Sequence, residues 1–142
     1  MTPIKTFLEE GAKMPTRAHD PDAGMDLYSM ESIFIPARGS YTFDTGVHME
    51  IPFGYAGFIK SKSGLNVNHN IITDGTIDSG YTGSIRVKLY NLGDTDQFIK
   101  YHQKIAQIVI QRVELVETRC VPSLDEFESS ERGDGGFGST GL

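Results

Sequence analysis

Residues 75–91 read GTIDSGYTGSIRVKLYN, and the fold turns on how they are read. Their second half alternates: Ile85, Val87 and Leu89 fall on one side, Arg86, Lys88 and Tyr90 on the other. A period of two predicts a half-buried β-strand over residues 84–91. The first half is a polar turn, with Gly75, Gly80 and Gly83 around one carboxylate, Asp78, and one aromatic, Tyr81. Glycine lets the backbone adopt φ > 0 and approach a ligand closely. A turn held between strands can fix a carboxylate beside a bound molecule. Asp-Ser-Gly is also ordinary turn chemistry, because Asp and Ser bond their own backbone.

Working outward, short strands are expected at residues 4–8, 23–29, 32–36, 41–51 (bent at Gly46), 55–60 and 97–101. Residues 104–116 form the longest β-branched run and predict one buried strand, or two separated by a bend. Turns fall at residues 37–40, 52–54 and 92–96, and residues 9–22 are a polar connection broken by Pro15 and Pro21. Residues 65–70 allow a short helical turn. Strands and turns recurring at short, similar spacings favour an all-β barrel or sandwich over alternating β and α. Two positions stand out. Asp26 lies within a strand pattern, where Asp is disfavoured, and either faces water or has a specific partner. Gln107 lies within an apolar run, as a core amide bonded to backbone or as a ligand contact. In residues 61–67, SKSGLNV, Lys62 and the neighbouring hydroxyls are phosphate-binding types beside Gly64, although a solvated loop reads the same way.

The 142 residues fit one domain able to bury a core. Cys120 is the only cysteine, so no intramolecular disulfide forms and a cytoplasmic location is expected. No apolar run reaches membrane-spanning length, and the N-terminus lacks a signal-peptide pattern. A net charge of −6 argues against a general nucleic-acid binder. It does not exclude an anionic small ligand, which a few local cations and backbone N–H groups can hold. Residues 128–142, ESSERGDGGFGSTGL, have too few apolar side chains to build a core. They are expected to form a flexible arm on a β domain of residues 1–127, mobile when empty and ordered over an anionic ligand.

Five segments, in order, carry a resemblance: AGMDLYS (23–29), SKSGL (61–65), GTIDSGYTG (75–83), HQKIAQ (102–107) and RGDGGFGSTG (132–141). They resemble the five motifs of the homotrimeric dUTPase family. The resemblance implies a jelly-roll-like distorted barrel with at most one short helix. It implies a homotrimer whose active sites are shared between subunits, the fifth motif reaching over a neighbour's site. The activity implied is Mg²⁺-assisted hydrolysis of dUTP to dUMP and pyrophosphate, limiting uracil incorporation into DNA. Nucleic-acid and membrane partners are not implied.

Carried over by position, Asp78 is the base that activates the attacking water. Tyr81 packs on the deoxyribose. Backbone at Ile72, Gly75, Thr76 and Ile77 reads the uracil edge. Lys62, Ser63 and Gly64 bind phosphate oxygens, and Gln107 contacts the α-phosphate region. Arg132 and Ser139 hold the γ-phosphate, and Phe137, followed by Gly138, stacks on the base. Mg²⁺ rides on the triphosphate, and Asp26 acts on it indirectly through water. Three departures are visible. Lys62 stands where the second motif usually has Arg, keeping charge but losing the bidentate fork. His102-Gln103-Lys104 replaces the usual Gly-Asp-Arg. Ile72 stands where some relatives have an Asn that holds uracil. Two other readings are a dCTP deaminase, which would need an acid–base residue aimed at the ring, and a dUTP-gated protein-binding regulator.

Overall fold

The alternation of residues 85–91 survives intact in the computed structural model, which describes residues 2–141. Ile85, Val87, Leu89 and Asn91 are buried, while Arg86, Lys88 and Tyr90 are exposed. The regular strand β9 starts two residues later than expected, at Arg86–Asn91. It lies between β4 (Ser40–Asp44) and β7 (Ile71–Ile72). The cause of the late start is Gly46 (φ 65°), which bends the partner chain: Ile85 bonds across the bend, to Thr45 on one side and Val47 on the other. A Cβ at Gly46 would strike Met30 and Ala12.

A second, four-stranded sheet runs in the order β2 (Gly24–Tyr28), β11 (Lys104–Arg112), β6 (Tyr55–Lys60) and β8 (Asp74–Asp78). Two ribbons close the body: β1 (Thr6–Leu8) with β5 (Val47–Met49), and β3 (Ile33–Ile35) with β10 (Gln97–Ile99). All pairings are antiparallel. Inner faces of both sheets meet on one core around Phe43, Leu27, Ile59, Ile85, Leu89 and Ile108. The fold is all-β and jelly-roll-like, with one short helix α1 (Ser63–His69) closed at Asn70 in the left-handed conformation. No helix among the described residues is long and apolar enough to cross a membrane.

Two expectations are corrected. Residues 75–78 are strand rather than turn, because β6 pairs them from Ile59 to Ala56; the turn proper is two residues, Ser79 and Gly80. β11 stops at Arg112, and the last bond to the body is Val113 N–H to Gly54 O at 2.9 Å. From there the chain leaves the sheet, with Leu115 and Val116 exposed, short of the strand end expected at residue 116. Of the two readings of Asp26, the structure bears out the partnered one: it is 4% exposed.

Candidate active site

Directly opposed residues of antiparallel strands share a face. Asp26 opposes Gln107, Gln107 opposes Lys60, and Lys60 opposes Asp74, so one polar row crosses the sheet on the side away from the core. Lys104 and Gln107 are three residues apart and would point to opposite faces of a regular strand. The register against β2 shifts between Lys104 and Ala106, a β-bulge that buries both Ile105 and Ala106 and resets the parity. Lys104 and Gln107 therefore both serve the Asp26 face. Gln107 donates from Nε2 to Ser61 O (3.1 Å) and lies over Gly24, where any Cβ would collide with its amide.

The Asp26 carboxylate is the electrostatic centre of this row. Lys62 Nζ lies 2.5 Å from Oδ1 and Lys104 Nζ 3.0 Å from Oδ2. Burial pushes the carboxyl's pKa up, but the hydrogen bonds from Lys62 and Lys104 outweigh it and hold the group below the ordinary Asp value. Lys104 is raised by the same bond. A carboxylate depressed in the folded state stabilises the protein above the unfolded value near ~4, and that contribution is lost as pH falls through the folded value. Asp26→Asn should cost about 2 kcal/mol at pH 7. It should also flatten the acid limb of Tm against pH below ~4; a variant with an unchanged acid limb would remove the carboxylate from that role.

Of the phosphate-binding candidates, Lys62 is the N-cap of α1, and exposed Ser63 and Gly64 begin its first turn, where backbone N–H groups lack helical partners. Asp78 ends β8 on the same outer face as Asp74. It is exposed, with no ion pair among the described residues, and it lines a hollow of about 210 Å³ with Thr76, Ile77, Tyr81 and Arg86. The Tyr81 N–H closes the turn onto Asp78 O at 3.2 Å. β8 is the edge of its sheet, so one side of the backbone from Gly75 to Ile77 has no sheet partner and is open to hydrogen bonding. Ile72, in β7 opposite Tyr90, is half-buried.

The two halves of the expected site do not meet within one chain. Asp78 lies four residues along the sheet from the row holding Gln107 and two strands across, roughly 13 Å by roughly 10 Å at ordinary strand spacings. The arm stands apart from both. Arg132 Nε donates to Gly135 O (2.6 Å), and the remaining arm bonds are also local. Phe137 is fully exposed in the left-handed region (φ 51°), followed by Gly138 at φ 89°. Ser139 lines one hollow with Arg132 and Gly135.

Sequence reasoning missed Lys104 as the second cation on Asp26, Gly24 as the seat of Gln107, and Arg86 beside Asp78. The signal for Lys104 was its place in the departing fourth motif, but the bulge hid its direction. His102 explains that departure further: it sits at φ 61° where the motif usually has Gly, tied by Nε2 to Gly11 O at 2.8 Å. Among the described residues no three His, Cys, Asp or Glu side chains converge into a metal cage.

The dUTPase family model matches residues 10–141. The deoxyuridine 5'-triphosphate nucleotidohydrolase of Mycobacterium marinum is 44% identical over 140 residues, covering 94% of this chain and 91% of its own. Among solved structures, Staphylococcus bacteriophage 80alpha dUTPase with dUPNHPP superposes with a TM-score of 0.92 at 27% identity, over 100% of both chains. A mutant dUTPase of S. aureus phage phi11, whose structure details the coordination of a structural Mg(II) ion, has a TM-score of 0.79 at 25% identity, covering 87% of this chain and 99% of that one.

Proposed function

The chain belongs to the dUTPase family and hydrolyses deoxyuridine 5'-triphosphate, and from that premise we propose that Asp78 positions and activates the water that attacks the α-phosphorus, releasing dUMP and pyrophosphate. One observation carries this reading: Asp78 and the Asp26–Gln107 row that Lys62 joins lie on one face of one sheet, too far apart to serve the same phosphorus. Base and phosphate ligands must both lie within hydrogen-bond reach of that centre. A site assembled from different copies satisfies this, and supports a homotrimer with shared active sites. The exposed arm, whose hydrogen bonds are local, fits the same logic, bringing Arg132 and Ser139 to the γ-phosphate and Phe137, with Gly138, to the uracil of a neighbouring site.

Uracil is read by the open backbone edge of β8, with Ile72 supplying apolar wall rather than a side-chain hydrogen bond. Tyr81 packs on the deoxyribose and leaves no room for a 2'-hydroxyl. Lys62, together with the Ser63 and Gly64 N–H groups, neutralises phosphate oxygens, and Lys62 must leave Asp26 to do so. No protein-only metal cage exists among the described residues, and both Asp26 oxygens hold lysines. Mg²⁺ carried by the triphosphate would supply charge neutralisation there, and Asp26 would meet it only through water. The single, exposed Cys120 agrees with a cytoplasmic enzyme.

The deciding experiment is pyrophosphate release from dUTP, dTTP, dCTP and UTP, with Mg²⁺ and with chelator. Rapid, Mg²⁺-dependent release from dUTP alone is expected. Release from UTP at a comparable rate would overturn the role of Tyr81. Ammonia release from dCTP would instead indicate a deaminase.

A further inference from the structure

The loop of residues 79–84 carries Tyr81 and is held from outside at two points. Ser84 Oγ donates to Asp44 at the end of β4. The other anchor is His48, in the middle of β5, whose Nδ1 lies 2.7 Å from Thr82 O. A carbonyl only accepts, so Nδ1 carries the proton. The ring is also packed by Phe7, edge-on at 5.5 Å, while Nε2 is buried with no hydrogen-bond partner among the described residues and the Glu9 carboxylate stands 3.6 Å from it. Strand β1, which supplies Phe7, is locked by its register against β5 and by Glu9 N–H to Gly46 O.

The loop in turn aims Tyr81. Its hydroxyl donates to Ser84 O at 2.7 Å, and its ring lies over Gly83 so closely that any Cβ there would strike it. Gly83 is thus the backbone under the ring, and Thr82 O, one residue before it, is tied to the body by the His48 side chain. We propose that His48 is a positioning residue for sugar selection: through Thr82 it sets the height of the Tyr81 ring against the deoxyribose. This rests on the reading of Tyr81 as the group that excludes the 2'-hydroxyl.

The test compares kcat/KM for dUTP and UTP in the full chain. His48→Phe keeps the ring against Phe7 and removes the donor. His48→Asn puts an N–H close to the place of Nδ1. Tyr81→Ala and the His48→Phe/Tyr81→Ala double variant complete the cycle. We expect His48→Phe to lower the dUTP/UTP preference about tenfold, a displacement effect rather than loss of a reacting group. His48→Asn should restore most of it, and His48→Phe should add nothing once Tyr81 is gone. A His48→Phe preference within twofold of the parent, while Tyr81→Ala loses it, overturns the role of His48 and leaves Tyr81 standing. A preference unchanged in Tyr81→Ala overturns the reading beneath it. Should His48→Phe not fold, His48→Asn alone decides: a tenfold loss there, with Tm unchanged, counts against the proposal.

Discussion

Asp78→Asn is expected to lower kcat for dUTP about a thousandfold, within the range for a positioned general base, or about 4 kcal/mol of transition-state stabilisation. The geometry makes the effect chemical rather than structural. Asp78 is exposed at the end of β8, and its backbone, not its side chain, makes the pairing with Ala56 and accepts the Tyr81 N–H. An amide of the same size preserves strand and turn, so Tm should move by no more than ~1 °C, as for a surface change away from packing. The amide still accepts a hydrogen bond from water but cannot take its proton. Affinity for a non-hydrolysable dUTP analogue, measured by calorimetry, should therefore stay within a few-fold of the parent while turnover collapses. A variant turning over within tenfold of the parent would remove Asp78 from the base role.

What could be read without coordinates follows from where period two holds. β9 and β6 sit within two residues of expectation, β9 because it keeps a clean alternation and β6 because turn signals bound its apolar run. Residues 104–116 resisted because the bulge at Ile105 puts two apolar neighbours inward and breaks the period. That irregularity is also what gathers Lys104 and Gln107 around Asp26. The most informative feature of the polar row was thus the one that obscured the pattern. Asp26 was legible as an anomaly, an Asp inside a strand, and its two lysines supply the reason. Asp78 and its glycines read as a turn because Asp-Gly-Thr-Ile-Asp has little strand propensity; pairing with β6 overrides it. The distance between Asp78 and Gln107 was not legible at all, since it depends on which strands are neighbours and in what register.

The second large effect is expected from ending the chain after Glu128. Fold and assembly should be unchanged, because the hydrogen bonds of residues 129–141 run within the arm and its side chains are exposed or only half-covered. Activity should fall sharply. In the proposed complex the arm supplies a charged contact and a hydroxyl to the γ-phosphate, worth about 1.5–3 kcal/mol for the charged bond. Stacking of Phe137 on the base adds about 1–3 kcal/mol. Ordering the glycine-rich segment subtracts part of this, leaving a loss of roughly a hundredfold in kcat/KM. The arm holds Phe137, a non-glycine residue, in the left-handed region with its ring fully in solvent, inside a turn closed by Ser139 N–H to Gly136 O at 3.1 Å. Phe137→Ala in the full chain should reproduce the stacking share, about tenfold, and Arg132→Ala the phosphate share. Sedimentation and Tm report whether the shortened chain keeps its assembly, and kcat/KM reports the arm. A truncated enzyme with full activity and parental Tm would take the fifth motif out of the site.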